Sequence, residues 1–380
     1  MASVILKISS VVLLGATMIA GNAYAGGFSR GEANTDILFE PGQYGFDAGF
    51  IYVSPQVSYA TIGTGGAVGT DPRFSQDYWI PSVAAKARFG DALGCALTYT
   101  QPFGGSTVYG TQAQAAQVGK KFYSKDFVSN EYGATCDVRF DAGPGKFHVL
   151  GGAYLQDFTY TAVSNLGTLK LNDGGSYGYR IGAAYDIDKY AMRAAVMYRS
   201  AVTQNATGTF TPTATGAFVF GTSSVIPSTG NGTLPQSVKL SLQSGVAPGW
   251  LVYGSVEWTN WSVLQTLNYS ISTSAQQDKY YWKDGWTIQA GVGHQFTDDI
   301  AGTINVTWDQ GVGSGADIMT DKWTVGTGAE FKLGPGKLQV GGAVTYITGG
   351  SQSTANGASF NATTNGSWAY SAGAGYKVSF

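Results

Sequence analysis

The sequence predicts an all-β chain: a transmembrane antiparallel up-and-down β-barrel of about fourteen strands with a short N-terminal plug. Three observations carry this. Apolar and polar residues alternate with a period of two along most of the chain, the pattern of strands whose two faces meet different surroundings. Tight turns alternate with long polar loops, as in barrels that keep short turns on the periplasmic side and longer ones outside. Charged residues make up only 12% of the 380 residues, whereas aromatics reach 13% and glycines number 55. That charge content is about half that of an ordinary soluble domain, so something other than water faces much of the surface. Mean hydropathy is nonetheless -0.03, and beyond residue 25 no segment offers the roughly 18 consecutive apolar residues of a membrane helix.

The elements follow in order. Lys7 precedes the apolar run of residues 8–20, and Ala23-Tyr24-Ala25 is a small-residue cleavage site. Residues 1–25 are therefore expected to be a signal peptide, with the exported chain beginning at Gly26. Residues 26–43 lack a strand pattern and form the expected plug, or hatch; residues 44–380 form the barrel with long extracellular loops. Tight turns are expected at 90–94, 141–146, 186–189, 247–249, 297–299 and 334–337. Long Gly/Ser/Thr-rich loops are expected at 60–76, 104–126, 162–174, 206–233, 265–281, 311–321 and 350–366. The segments between them number about fourteen, an even count that leaves both chain ends on the short-turn side. The clearest hairpin spans residues 234–264. Val238, Leu240 and Leu242 alternate with Lys239, Ser241 and Gln243, and Trp250, Val252, Val256 and Trp258 resume the phase after Pro248-Gly249. Pro fixes φ at the second turn position and Gly accepts the positive φ needed at the third.

Strand phase assigns the faces. Tyr177, Tyr179, Ile181 and Tyr185, and in the last strand Trp368, Tyr370, Ala372, Ala374, Tyr376, Val378 and Phe380, point to lipid. The opposite phase carries Lys86, Arg88, Glu131, Asp137, Arg139, Arg180, Arg193, Arg199, Lys239, Glu257, Glu330, Lys332 and Lys377. A lipid-facing Arg or Lys at the bilayer midplane costs roughly 2 to 4 kcal/mol, so these charges belong in the lumen. A water-filled porin would line its lumen almost wholly with polar groups. Here the inward phase also holds Tyr78, Ile80, Leu150, Tyr154, Met197, Leu251 and Tyr253 as ligand-lining candidates. Beside them, Arg180, Arg193, Arg199 and Lys239 are candidates for pairing an acidic head group. A structural ion network bracing the barrel accounts for the same charges. In the loops, Leu166, Leu169, Leu171, Phe218, Phe220, Val225 and Ile226 interrupt polar sequence and suggest a capture groove for a greasy ligand, or local loop packing.

Other chemistry is weakly supported. A net charge of -2 and a pI near 5.7 argue against a nucleic-acid partner. His148 and His294 do not converge with other ligands, so neither a zinc site nor a hydrolase triad is expected, and an outer-membrane lipase is a weak alternative. No cofactor or metal is expected. Cys95 and Cys136 share the lipid-facing phase on adjacent strands, and export permits a disulfide between them. The Gly-Pro-Gly-Lys runs at 143–146 and 334–337 read as hairpin turns, since they lack the rest of a phosphate-loop motif. Asp309, Asp317 and Asp321 lack the spacing of a calcium loop.

Several runs carry a resemblance. Tyr44 to Pro55 (YGFDAGFIYVSP), Trp79-Ile80-Pro81, Gly178 to Tyr185 (GYRIGAAY), Tyr198-Arg199-Ser200, Leu234-Pro235 and Trp258 to Ser262 (WTNWS) together resemble the FadL/TodX (OMPP1) family of outer-membrane transporters for long-chain fatty acids and hydrophobic aromatics. The likeness spans nearly the whole exported chain. It implies a fourteen-stranded barrel closed by a hatch, capture between the third and fourth loops, transfer to an inner pocket, hatch rearrangement, and lateral exit at a kinked third strand. Here that strand, residues 93–103, is followed by Gly104-Gly105 and contains Pro102, which break ladder pairing or simply end the strand. The family hatch is longer and carries Asn-Pro-Ala, whereas this chain has Glu40-Pro41-Gly42; the family's initial Gly-Phe is kept as Gly27-Phe28. Phe28, Arg30 and Glu32 are expected in the lumen as a gate. The expected function is passive passage of hydrophobic small molecules, foremost long-chain fatty acids, through a monomer set in outer-membrane lipid. A general diffusion porin and an aromatic-hydrocarbon transporter are the alternatives, with a structural surface protein third.

Overall fold

The computed structural model describes residues 26–380; the signal-peptide reading of residues 1–25 lies outside them. Eighteen ladder segments join edge to edge, and eight of these are the inner and outer halves of four interrupted strands, so the wall has fourteen strands. The first six are β1 (Tyr44–Pro55), β2 (Tyr78–Phe89), β3 (Leu93–Val108), β4 (Phe122–Ala142), β5 (Gly145–Ser164) and β6 (Gly167–Ile187). The interrupted four are β7 (Met192–Arg199, then Val202–Pro212), β8 (Ile226–Leu234, then Ser237–Ala247), β9 (Trp250–Thr259, then Thr266–Ile271) and β10 (Ser274–Lys279, then Gly285–Gln295). The last four are β11 (Ile300–Asp309), β12 (Lys322–Leu333), β13 (Gly336–Ile347) and β14 (Ser367–Ser379). β1 closes the barrel on β14, from Gly45↔Ser379 to Pro55↔Ala369. Among the described residues no helix is long and apolar enough to cross a membrane.

The short turns lie where the sequence places them. Gly249 follows Pro248 with φ +75°, the left-handed value that a Pro-Gly turn of this type requires. The long loops need correction, because several are folded as strand. β5 and β6 stay paired out to Ser164↔Gly167, which leaves Asn165 and Leu166 as the turn where a loop over 162–174 is expected. Phe158, Tyr160, Ala162, Leu169 and Leu171 alternate with Thr, Asn and Lys and enter one buried cluster. Threonine suits the wet face of a strand as well as it suits a loop, which hides such a segment from a composition reading. Likewise 206–233 holds the outer half of β7, a helix (Ala214–Phe220) and the outer half of β8, and 265–281 holds a hairpin. The stretch 104–126 contains the end of β3, a helix Thr111–Ala116 and the start of β4. An upper storey of sheet therefore stands on the barrel.

The four interruptions share one level, since Ser237 pairs with both Arg199 and Thr259, and Thr259 pairs with Gly285. Pro235, which has no N–H to donate, marks the break in β8. Inside, Lys86, Arg88, Glu131, Asp137, Arg180, Arg193, Glu330 and Lys377 are buried, while Leu97, Tyr132, Tyr177, Ile181 and Trp323 are exposed on the outer face. Lys332 corrects the phase argument: it sits beyond the periplasmic edge, exposed, beside Asp299 at 3.6 Å. Cys95 and Cys136 face each other in register and are joined as a disulfide.

Candidate functional site

The third strand is the irregular one. β2 pairs with β3 only as far as Ser82↔Thr100. On the other side the β3–β4 register shifts between Thr100 and Phe103, where Pro102 cannot donate to a ladder. The hatch fills this break from inside the barrel. Arg30 N–H donates to the Pro102 carbonyl (2.8 Å), Gly31 N–H to that of Gln101 (2.9 Å), and Gly104 N–H to that of Phe28 (2.9 Å). Such close approach depends on glycine: a Cβ on Gly104 would collide with the Arg30 guanidinium, and one on Gly31 with Thr100 and Ile80. Pro102 and Gly104 therefore mark a real discontinuity within β3, which runs on to Val108 instead of ending at Phe103.

From there the hatch runs the length of the lumen. Gly26 N–H donates to Asp309 at the outer end of β11 (2.6 Å), and Gln43 N–H donates to the Phe380 carbonyl at the opposite rim (2.6 Å). A 3-10 turn, Thr35–Phe39, buries Ile37 and Leu38 against the wall. Lys377 pairs with Glu40 at 2.9 Å, which ties the lower hatch to β14. The three expected gate residues all lie inside. Phe28 sits in an aromatic nest, Arg30 stacks 4.2 Å from the Tyr78 ring, and Glu32 pairs with Lys239.

Above Phe28 the upper storey holds a narrow apolar cleft, lined by Phe28, Phe127, Phe158, Tyr160, Leu171, Leu264, Leu267 and Tyr280 with few polar groups. Small-molecule sites are mostly apolar with a few placed polar groups, and the lining fits that description. Its floor is the Phe28 ring, edge-on to Phe127 and Trp282 at 4.7 Å and to Tyr280 at 5.4 Å. Trp282 is held from behind, since its indole N–H lies 2.9 Å from both carboxylate oxygens of Asp317. Burial in the sixth loop pushes the Asp317 carboxyl up to about 7 against that hydrogen bond. One edge of the cleft is polar: Tyr160 donates to Asp278 (2.6 Å), which also pairs with Lys125 (2.8 Å).

The basic residues singled out by strand phase divide into three places. Arg180 and Arg199 converge on one carboxylate, Glu131, with Arg199 at 2.8 Å. Both guanidiniums lie over the Tyr154 ring, at 5.0 and 4.7 Å. Arg193 sits lower, over the Phe39 ring at 4.4 Å and 3.7 Å from Asp36. Of the lining candidates, Ile80, Leu150, Met197 and Tyr253 border a larger cavity beneath the cleft, shared with the hatch. Tyr154 is buried with its hydroxyl on the Ser200 carbonyl, and Leu251 packs near the periplasmic end with Ala191 and Ala301. In the loops, Leu169 and Ile226 are core residues, Leu166 and Phe220 pack against that core, and Phe218 and Val225 are exposed. His148 is clamped between Asp137 (2.9 Å) and Asp186 (3.1 Å) beneath Phe39, and His294 stacks on Trp250. Asp321 accepts from Trp308 and Gly311 N–H.

Sequence reading missed most of the cleft. Phe158 and Tyr160 lie in the strand expected between the turn at 141–146 and the loop at 162–174, but are not among the lining candidates. Trp261, Leu264, Tyr280 and Trp282 come from the breaks in β9 and β10, and only their meeting in space brings them to the site.

The architecture of a hatch-filled barrel beneath an apolar outer cleft has relatives. Residues 16–310 match the family described as Outer membrane protein transport protein (OMPP1/FadL/TodX). The chain belongs to this family. Long-chain fatty acid transport proteins of Salmonella typhi and Escherichia coli (strain K12) are 23% identical to it over 316 and 325 residues, covering 70% of this chain and 71% and 72% of theirs. Among solved structures, a Pseudomonas aeruginosa FadL homologue superposes with a TM-score of 0.73 at 14% identity, covering 94% of this chain and 96% of that one. The Pseudomonas putida toluene transporter TodX superposes at 0.59 with 14% identity, covering 94% and 95%. These likenesses show the shared fold: an outer-membrane FadL/TodX barrel.

Proposed function

We propose that the chain is a passive outer-membrane channel for hydrophobic small molecules, foremost long-chain fatty acids. The observation that carries this is the apolar cleft whose floor is a hatch residue, Phe28. A ligand held there is separated from the lower cavity by one movable segment rather than by the wall. Displacing Phe28 joins the cleft, past Trp261 and Phe103, to the Arg180–Glu131–Arg199 group and the lumen cavity below. The break between β2 and β3 then offers a lateral way out, because the hatch residues Phe28 to Gly31 occupy its inner side. The long-chain fatty acid transport proteins among the relatives favour an acyl ligand. Monomeric function in outer-membrane lipid belongs to this reading, and no catalytic step is assigned.

Aromatic hydrocarbons are the second reading. It is favoured by the aromatic and leucine residues that dominate the cleft lining and by the toluene transporters among the structural neighbours.

The test is a titration of the detergent-purified protein with a fluorescent long-chain fatty acid, against an Arg180→Ala, Arg199→Ala variant. Saturable binding supports the channel, and weakening in the variant places a head-group station at the arginines. A natural chain that binds neither the fatty acid nor toluene saturably would overturn the reading.

A further inference from the structure

Gln204 is a buried amide in the lining of the apolar cleft, and strand register puts it there. It lies on the inward phase of the outer half of β7, between Val202 and Ala206, and all three are buried. Across the ladder it pairs with Gly232 of β8. With no side chain at that position the space beside the amide stays open to the cleft, which Gln204, Ala206, Gly230 and Gly232 all line. A Cβ on Gly230 would collide with Leu171, and one on Gly232 would crowd Leu267 at 3.1 Å, so glycine keeps this part of the wall flat. One contact orients the amide. Its Nε2–H donates to the Gln156 carbonyl (3.4 Å), and only the NH2 end can face a carbonyl, so Oε1 is turned away from it. That oxygen is shielded from solvent and has no hydrogen-bond partner among the described residues. The polar side chains around it are engaged elsewhere: Gln156 donates to Ser129 (2.8 Å) and accepts from Arg199 (3.4 Å), and Tyr160 donates to Asp278 (2.6 Å). A buried acceptor left without a donor is costly, and a donor that reaches it recovers that cost.

We propose that Gln204 Oε1 accepts a hydrogen bond from a hydroxyl on the ligand, so that the cleft takes neutral hydrophobic molecules bearing one hydroxyl, such as phenols and long-chain alcohols, in preference to hydrocarbons of the same shape. The inference rests on the channel reading above, in which the cleft is a ligand site, and adds a ligand class to it. Phe28, Phe127, Phe158 and Leu171 supply apolar contact without fixing orientation, and the amide supplies a fixed polar point among them. A neutral acceptor suits an O–H donor and not a carboxylate, whose oxygens only accept. The pairing is therefore separate from the way the head of a fatty acid is held. It discriminates against an analogue without the hydroxyl because the buried acceptor then stays unpaired.

The experiment titrates para-cresol, para-xylene, which carries a methyl in place of the hydroxyl, and the methyl ether of para-cresol into the detergent-purified natural chain and Gln204→Met. The quantity read is the loss of affinity in the variant, compound by compound, in which water solubility and micelle uptake cancel. Para-cresol is expected to lose about tenfold more than either of the others. Should Gln204→Met not fold, Gln204→Asn, whose shorter side chain withdraws the acceptor, is read in the same way. Equal losses for the three compounds, a loss for the methyl ether that matches that for para-cresol, or a natural chain that binds the fluorescent fatty acid but none of the three overturns the Gln204 assignment and leaves the channel reading intact. A natural chain that binds neither the three compounds nor the fatty acid overturns both.

Discussion

Phe28 of the hatch stands edge-on to Trp282 of the wall, with 4.7 Å between ring centroids. The pair joins the hatch to the interruption of β10, at the boundary between cleft and lumen. Edge-to-face pairs contribute about 0.5 to 1.5 kcal/mol beyond area burial, and Phe28 makes several. Phe28→Ala is therefore expected to weaken binding of a long-chain fatty acid by roughly tenfold. The same change should raise single-channel conductance in planar bilayers, since the floor loses its ring. Titration and conductance on one preparation check both.

Glu131 pairs with both Arg180 and Arg199. Glu131→Gln leaves Arg180 and Arg199 facing each other across Tyr154, and removing one partner of a buried ionic group costs about 3 kcal/mol or more. Urea unfolding in lipid vesicles should show the loss as a lower midpoint with an unchanged slope.

The sixth loop is expected to loosen as pH rises. Asp317 is an acid whose folded value, about 7, lies above its unfolded one because of burial. Between about pH 4 and pH 7 the closed loop keeps a proton that the open chain gives up, so stability falls with rising pH across that window. Hydrogen exchange of the 311–321 amides, corrected for intrinsic rates, should report more frequent opening at about pH 8 than at about pH 5. Asp317→Asn should flatten that dependence.

The Cys95–Cys136 bond closes a separation of 41 residues, which by chain entropy is worth about 4 kcal/mol. Both cysteines lie on the lipid-facing phase, so a water-soluble reductant is expected to leave the bond intact in the folded barrel and cleave it after urea unfolding. Alkylation followed by mass measurement reads zero adducts in the first case and two in the second.

Much of the barrel is legible in the sequence because lipid and lumen impose opposite chemistry on alternate residues. Tyr177, Tyr179 and Ile181 face out while Arg180 faces in, and the Pro-Gly and Gly-Pro-Gly turns fix the hairpins. The upper storey is less legible. Its strands face water on one side, so Thr168, Thr209 and Thr211 imitate loop composition, and Leu169 and Phe210 look like isolated apolar intruders although both are fully buried. The site depends on encounters that no local pattern records. Phe28, Tyr160 and Leu264 come from three separate stretches, and Pro102 acquires its meaning only when Arg30 bonds to its carbonyl.

Photo-crosslinking with a diazirine-bearing long-chain fatty acid, mapped by mass spectrometry, tests the cleft most directly. Adducts that saturate and are competed by unlabelled ligand are expected on Phe28, Phe127, Leu171 and Leu264. Adducts confined to lipid-facing residues such as Leu97 and Tyr132, rising without saturation, would contradict a ligand site above the hatch.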